Sequence, residues 1–367
     1  MARGRTVFGS APALGAATAL LVAACSASAP AATPGASVEP SSGATTSPSA
    51  APSARTLGWR ELSGSGIAPA PREDHTWTAD GTGQIAYLFG GRDDASGQGA
   101  LADLWAYDLA TDAWRELSGG PPARFGHNAA WVPGVGLVIF AGQDKAFFND
   151  LWAYDPDADS WRVLPANGAA PVPRYGSCAA LGPDGRLWIS HGFTSEGSRF
   201  ADTRAYDFST ETWTDETPVG AAPIERCLHG CWWTDDGRFT LYAGQTTGAS
   251  ALGDLWELTV GPRPGTNAWA QITQDLPAAR NLYASVRSDD HTTTVFGGQG
   301  PSAEYLNDLW LFADAGAGAV PLTVSGSLPP ARSGAELVAD LERGRLLLFG
   351  GKAGASVFGD LWELTLD

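Results

Sequence analysis

Three histidines, His75, His127 and His229, each stand three residues after an arginine, at Arg72, Arg124 and Arg226. Imidazole exchanges protons near neutral pH and ligates metals, so histidines in matched settings invite both readings. The same offset carries Ser177, Tyr283 and Ala335 after Arg174, Arg280 and Arg332. The setting therefore occurs six times and the histidine only three. A second set of positions follows the glycines Gly91, Gly142, Gly192, Gly244, Gly298 and Gly351. It holds Arg92, Gln143, Phe193, Gln245, Gln299 and Lys352. These side chains hydrogen-bond, stack or carry charge, and they also change from copy to copy. Each copy keeps its arginine and an acid downstream: Asp103, Asp150, Asp202, Asp254, Asp308 and Asp360.

Short strands must position these groups. From Arg72 the chain runs through Thr76-Trp77 to the turn residues Asp80-Gly81-Thr82-Gly83, then through the apolar run Ile85 to Phe89 and into Gly90-Gly91. Asp103-Leu104-Trp105 begins a third strand, and Trp114-Arg115-Glu116-Leu117 a fourth. The order returns about every fifty residues, with turn cues at Pro183-Asp184-Gly185 and Asp235-Asp236-Gly237, which predicts stacked four-stranded meanders. Third-strand tryptophans recur at Trp152, Trp256, Trp310 and Trp362, with Arg204 in the third copy. Outer-strand tryptophans are Trp161, Trp213 and Trp269, and the fifth copy offers Val320 to Val324 instead. The sixth copy stops after its third strand. Its fourth is expected from the beginning of the domain, at Trp59-Arg60-Glu61-Leu62, which closes a ring and leaves no long free edge.

With its six ordered copies of the glycine, Asp-Leu-Trp and tryptophan markers, the chain resembles the kelch-repeat family and the propeller domain of galactose oxidase. The resemblance covers nearly all of residues 57–367 and implies an all-β, six-bladed propeller. Kelch proteins commonly bind ligands on the face where the first strands begin, so it also implies a ligand site on that rim. Galactose oxidase holds copper with two Tyr and two His, one from an additional C-terminal domain. Nothing matching that domain follows the sixth repeat, and no copper site is expected.

Antiparallel order brings the repeat arginines, the acids and the residues after the glycines to one rim. Six arginines and six acids read as bidentate pairs, Arg72–Asp103, Arg124–Asp150, Arg174–Asp202, Arg226–Asp254, Arg280–Asp308 and Arg332–Asp360, locking a loop against each first strand. Groups kept in every blade serve the ring. Ligand-binding candidates are those that vary: His75, His127, His229, Arg92, Gln143, Phe193, Gln245, Gln299 and Lys352. Metal ligands must converge at roughly 2 Å, whereas equivalent residues around a propeller stand farther apart. The histidines are accordingly expected as a satisfied polar lining of the central channel, with no metal or other cofactor. Asp93-Asp94, Asp235-Asp236 and Asp289-Asp290 read as solvated turns, and no catalytic constellation stands out.

The cysteines after Cys25 are Cys178, Cys227 and Cys231. Cys227 and Cys231, four apart in an extended strand, stand about 13 Å apart, too far to bond to each other. Cys178 either bridges to one of them across neighbouring blades or all remain reduced and buried.

The start of the chain reads as an export signal over residues 1–24, with Arg3, Arg5 and an apolar stretch from Ala11 to Ala24 too short to span a bilayer. Leu21-Val22-Ala23-Ala24-Cys25 resembles a bacterial lipobox, which implies lipidation of Cys25. Residues 25–56, nearly all Ala, Ser, Pro, Thr and Gly, read as a stalk too polar to bury a core. The formal charge of −17 argues against nucleic acid and anionic lipid partners, and cleavage before Cys25 makes it two charges more negative. The expected protein is a monomeric, lipid-anchored extracytoplasmic propeller that binds a glycan or a protein at its rim without catalysis. The alternative is a sugar-active enzyme of the mutarotase type, with His75, His127 or His229 exchanging protons beside Glu73 or Asp74.

Overall fold

Each repeat contributes one second strand that water never reaches: Leu137, Val138, Ile139 and Phe140 are all buried, as are Leu346, Leu347, Leu348 and Phe349. Such runs are strands because both faces of the sheet are covered by neighbouring sheets. The computed structural model describes residues 57–63, 66–93, 99–194, 197–263, 265–288, 291–314 and 318–366. The expected export signal, Cys25 and the stalk lie outside the described residues.

Six antiparallel sheets follow one another. Blade one is Thr76–Ala79, Ile85–Phe89, Leu104–Asp108 and Ala113–Leu117; blade two is Asn128–Val132, Gly136–Phe140, Leu151–Asp155 and Ser160–Leu164. Blade three comprises Cys178–Leu181, Leu187–Phe193, Arg199–Asp207 and Thr212–Asp215, with the short Asn167–Gly168 parallel to the last at its outer edge. Blade four runs Gly230–Trp233, Arg238–Gln245, Ala251–Thr259 and Ala268–Ile272, and blade five Ala284–Arg287, Thr292–Gln299, Tyr305–Ala313 and Ala319–Pro321. Blade six takes Ser333–Asp340, Arg345–Ala353 and Leu361–Thr365 from the end of the chain and Leu57–Leu62 from the start of the domain. Leu57–Leu62 pairs antiparallel with Leu361–Thr365, so the ring closes as expected.

One boundary is corrected. The expected outer strand of blade five, Val320 to Val324, is split. Ala319–Pro321 pairs within blade five, whereas Val324–Gly326 runs parallel to Leu57–Leu62 as a fifth main strand of blade six. Leu322 and Val324 pack into the core between these blades, and that burial draws the chain across.

The core lies between blades. Val138 and Phe140 of blade two pack with Ile189, Tyr206 and Trp213 of blade three, and Leu88 and Trp105 of blade one with Leu347 and Phe349 of blade six. The outer-strand tryptophans interlock the ring. Trp161 meets Phe89, Trp213 meets Phe140 and Trp114 meets Phe349, each on the preceding blade, with ring centroids 5.1–5.4 Å apart. Trp59 meets Phe296 in the same way, so the strand from the start of the domain supplies blade six with the missing contact as well as the missing strand.

Two closed circuits of backbone hydrogen bonds run around the ring. In one, the N–H of Gly91, Gly142, Gly192, Gly244, Gly298 and Gly351 each donates to the carbonyl of the next blade's repeat arginine at 2.8–2.9 Å, the last reaching Arg72. In the other, the second residue after each repeat arginine bonds to its counterpart on the preceding blade at 2.7–3.1 Å: Asp74, Gly126, Gly176, Leu228, Leu282 and Gly334. All six of these have φ between 52° and 65°. Half are glycine, which adopts that region freely. At Gly126 a Cβ would also meet the Tyr175 ring at 2.0 Å.

Candidate rim site

Beneath the rim lies an invariant layer. Each repeat arginine is at most 1% exposed. Its Nη1 and Nη2 donate to both oxygens of its aspartate at 2.6–3.0 Å in all six blades. Nη1 also reaches the carbonyl of Gly90, Ala141, His191, Ala243, Gly297 or Gly350, and Nε the carbonyl two residues back. The Asp-x-Trp spacing has the same origin. Trp105, Trp152, Trp256, Trp310 and Trp362 donate from Nε1 to the same aspartate at 2.6–2.7 Å, and Arg204 Nε takes that place in blade three at 3.2 Å. Burial opposes ionisation of the aspartates, but the hydrogen bonds and charge of their arginines outweigh it and hold all six below the usual carboxylate range.

Immediately above, the residue after each glycine pairs with the residue after each repeat arginine: Arg92 with Glu73, Gln143 with Phe125, Phe193 with Tyr175, Gln245 with Cys227, Gln299 with Asn281 and Lys352 with Ser333. Apart from Glu73, named beside the histidines in the enzyme alternative, the second members were not among the candidates read from sequence. Their signal was present, since each follows an invariant arginine and differs in every blade.

The rim falls into two sectors. Where blade six meets blade one, Arg92 Nε lies 2.8 Å from Glu73 and its Nη2 2.7 Å from Asp74, while Lys352 Nζ donates to Glu73 at 2.7 Å. Two cations and two acids balance there. Burial and the neighbouring Asp74 push the Glu73 carboxyl up to about 7 against the pull of Arg92 and Lys352. On blades two and three the rim is aromatic. Phe125 faces Tyr175 at 5.8 Å, Phe147 faces Phe193 at 5.9 Å, and Arg92 lies over Phe125 at 4.6 Å. Gln143, Gln245, Gln299 and the half-buried Tyr305 continue this sector.

The histidines are elsewhere. His75, His127 and His229 contribute to the wall of a central channel of about 910 Å³, but their rings are wedged between blades. His75 lies edge-on to Phe349 at 5.7 Å, His127 to Phe89 at 5.3 Å and His229 to His191 at 5.5 Å, each time on the preceding blade. His127 Nε2 bonds to Thr76 Oγ1 at 2.9 Å and the Ser190 backbone bonds to His229, whereas both ring nitrogens of His75 lack a hydrogen-bond partner among the described residues. Burial above all, with nearby arginines adding to it, pushes His127 down to about 3 and His75 and His229 well below the usual value. Each of these shifts favours the neutral imidazole near pH 7. Among the described residues no three His, Cys, Asp or Glu side chains are grouped as a metal site.

A different acid lines the channel. Glu336, on the first strand of blade six, is half-buried in the wall, and burial followed by Asp74 pushes it up to about 8. No sequence marker sets it apart. Cys178 and Cys231 form a disulfide between the first strands of blades three and four, with Cα atoms 5.7 Å apart, and Cys227 is a buried free thiol.

The KLHDC2/KLHL20/DRC7 Kelch-repeats domain model matches residues 51–189 and 126–316. The flagellar outer-arm dynein alpha chain of Chlamydomonas reinhardtii is 27% identical over 328 residues, 84% of this chain and 7% of its own length. An F-box/kelch-repeat protein of Arabidopsis thaliana is 27% identical over 66% of this chain and 55% of its own. The human Kelch domain-containing protein 10 is 26% identical over 66% of this chain and 58% of its own. The chain thus spans less than two thirds of these relatives. The solved structure of YjhT shares the fold, with a TM-score of 0.61, 18% identity, and coverage of 80% of this chain and 95% of that one.

Proposed function

Because this chain belongs to the kelch-repeat family, we propose that it is a lipid-anchored, extracytoplasmic binding module that takes a glycan or protein ligand on its rim and turns nothing over. The observation that carries this reading is the aromatic and amide sector of the rim. Phe147, Tyr175 and Phe193 present half-buried rings beside Gln143, Gln245 and Gln299, directly above a layer whose own hydrogen bonds are spent. Such a surface offers stacking area at low entropic cost, with adaptable hydrogen-bonding groups around it. Lipidation of Cys25 would hold the propeller at the membrane, and the negative charge argues against nucleic acid.

The test uses residues 57–367 as a soluble domain against glycan arrays and cell-envelope extracts. Retention by wild type and loss in Phe193→Ala supports the reading, while no retention by wild type on any array overturns it. Replacing Cys25 with Ser in the full chain should release the protein from membranes into the soluble extracytoplasmic fraction. A second reading, acid–base sugar chemistry, is favoured by Glu73 and Glu336, whose carboxyls are pushed to about 7 and about 8. NMR anomer exchange across several sugars decides it, and a rate equal to that in buffer ends it.

A further inference from the structure

One rim arginine is unlike every other. Arg199 opens the third strand of blade three, paired with Phe193, and its guanidinium reaches toward blade four. Its Cζ lies 5.4 Å from the Phe193 ring centroid, its Nη2 donates to Gln245 Oε1 at 3.3 Å, and the Cys227 thiol is its other neighbour. No carboxylate among the described residues forms an ion pair with it, and its buried Nε has no hydrogen-bond partner. Arg72, by contrast, spends its donors on Ala70, Gly90 and both oxygens of Asp103. Arg92 and Lys352 are offset by Glu73 and Asp74. In a chain of net charge −17, Arg199 is therefore a half-buried cation without a compensating carboxylate among the described residues.

We infer that the rim carries an anion subsite centred on Arg199, between blades three and four, and that its ligand is an acidic glycan. The inference rests on the rim reading above and adds the charge of the ligand. Guanidinium has five donors in a fixed fork that matches a carboxylate or sulfate. Stacking on Phe193 holds that fork in place before the ligand arrives, which lowers the ordering cost of binding. Tyr175 lies beside Phe193 at 6.4 Å and offers a ring for the apolar face of a sugar. Gln143 and Gln245 can meet the hydroxyls of the same sugar. An aromatic face, amides and one guanidinium without a carboxylate partner among the described residues together match a sugar ring that bears an acid group.

The experiment measures affinity of the soluble domain for oligomers of galacturonate, glucuronate and sulfated galactose, each against its neutral parent, and for peptides with free or amidated C-termini. Wild type should favour at least one acidic oligomer over its parent by about tenfold or more, the range expected for a charge-assisted hydrogen bond. That preference should weaken as salt rises. Arg199→Gln should abolish it and Arg199→Lys should keep part of it, with thermal melts of both variants unchanged. Carboxylate and sulfate arms separate the two sources of negative charge. Equal affinity for acidic and neutral oligomers, unchanged in Arg199→Gln, overturns the anion subsite and leaves the rim reading standing. Preference for free-carboxylate peptides over every sugar overturns the glycan assignment. Failure of all probes to bind overturns both.

Discussion

The arginine layer and the rim above it use adjacent residues of the same chain segments, yet they obey opposite rules. Arg72 and Glu73, or Gly142 and Gln143, are sequence neighbours, but the first of each pair serves geometry and the second is left to vary. In the layer every guanidinium is buried and each of its nitrogens has an acceptor, so losing an arginine leaves its carbonyls and its carboxylate without their donor. At the rim the residues after the glycines are half-exposed and the backbone pairing of both rows is already complete, so residue type changes from blade to blade. The six-fold repeat is thus a device for holding a surface that is not six-fold.

The largest effect expected from breaking this comparison is at the layer. Arg124→Ala should cost about 3–5 kcal/mol, because Asp150 would keep its charge without its partner. Gln143→Ala, one residue past the glycine that bonds the next blade, should stay within about 0.5 kcal/mol. Chemical denaturation of both variants checks the pair, and equal losses would erase the distinction between layer and rim.

Next comes the joint between blades three and four, which alone among the described joints carries a disulfide. Cys178→Ser should cost about 2–5 kcal/mol. Reductant should lower the melting temperature of wild type and leave the variant unmoved.

The smallest effect sharpens the contrast between buried charge that is paired and buried charge that is not. Glu336 binds its proton more tightly in the folded chain, near pH 8, than in the unfolded chain, near 4.5. The unfolded state therefore loses its proton first, and Glu336 makes stability fall as pH rises through that window. Glu336→Gln should melt above wild type at pH 9 and level with it at pH 4.5. A difference between wild type and Glu336→Gln that does not change with pH would show that the carboxyl is ionised and solvated in the channel.

Much of this was legible in sequence because the repeat is local. The Asp-x-Trp spacing needs only one strand to bring Nε1 onto the carboxylate below it, and the missing sixth outer strand was countable. The pairing of Glu73 with Arg92 followed from the same ladder logic but was overlooked. The burial of the histidine rings has a physical reason. Each follows a residue in the left-handed backbone region, and that turn sends the ring against the preceding blade. Arg199 was invisible because its significance lies in what is missing around it, and its partners Gln245 and Cys227 belong to another blade.

The sequence by itself determined the number of blades, the closing strand and the layer of arginine–aspartate pairs, since each rests on contacts repeated at a fixed spacing. Only the tertiary structure decided which cysteine Cys178 bonds, that the histidine rings are buried between blades, that Glu336 faces the channel, and that Arg199 stands without an acid among the described residues. Those outcomes depend on burial and on side chains from neighbouring blades, which lie about fifty residues apart in the chain and a few ångströms apart in the fold.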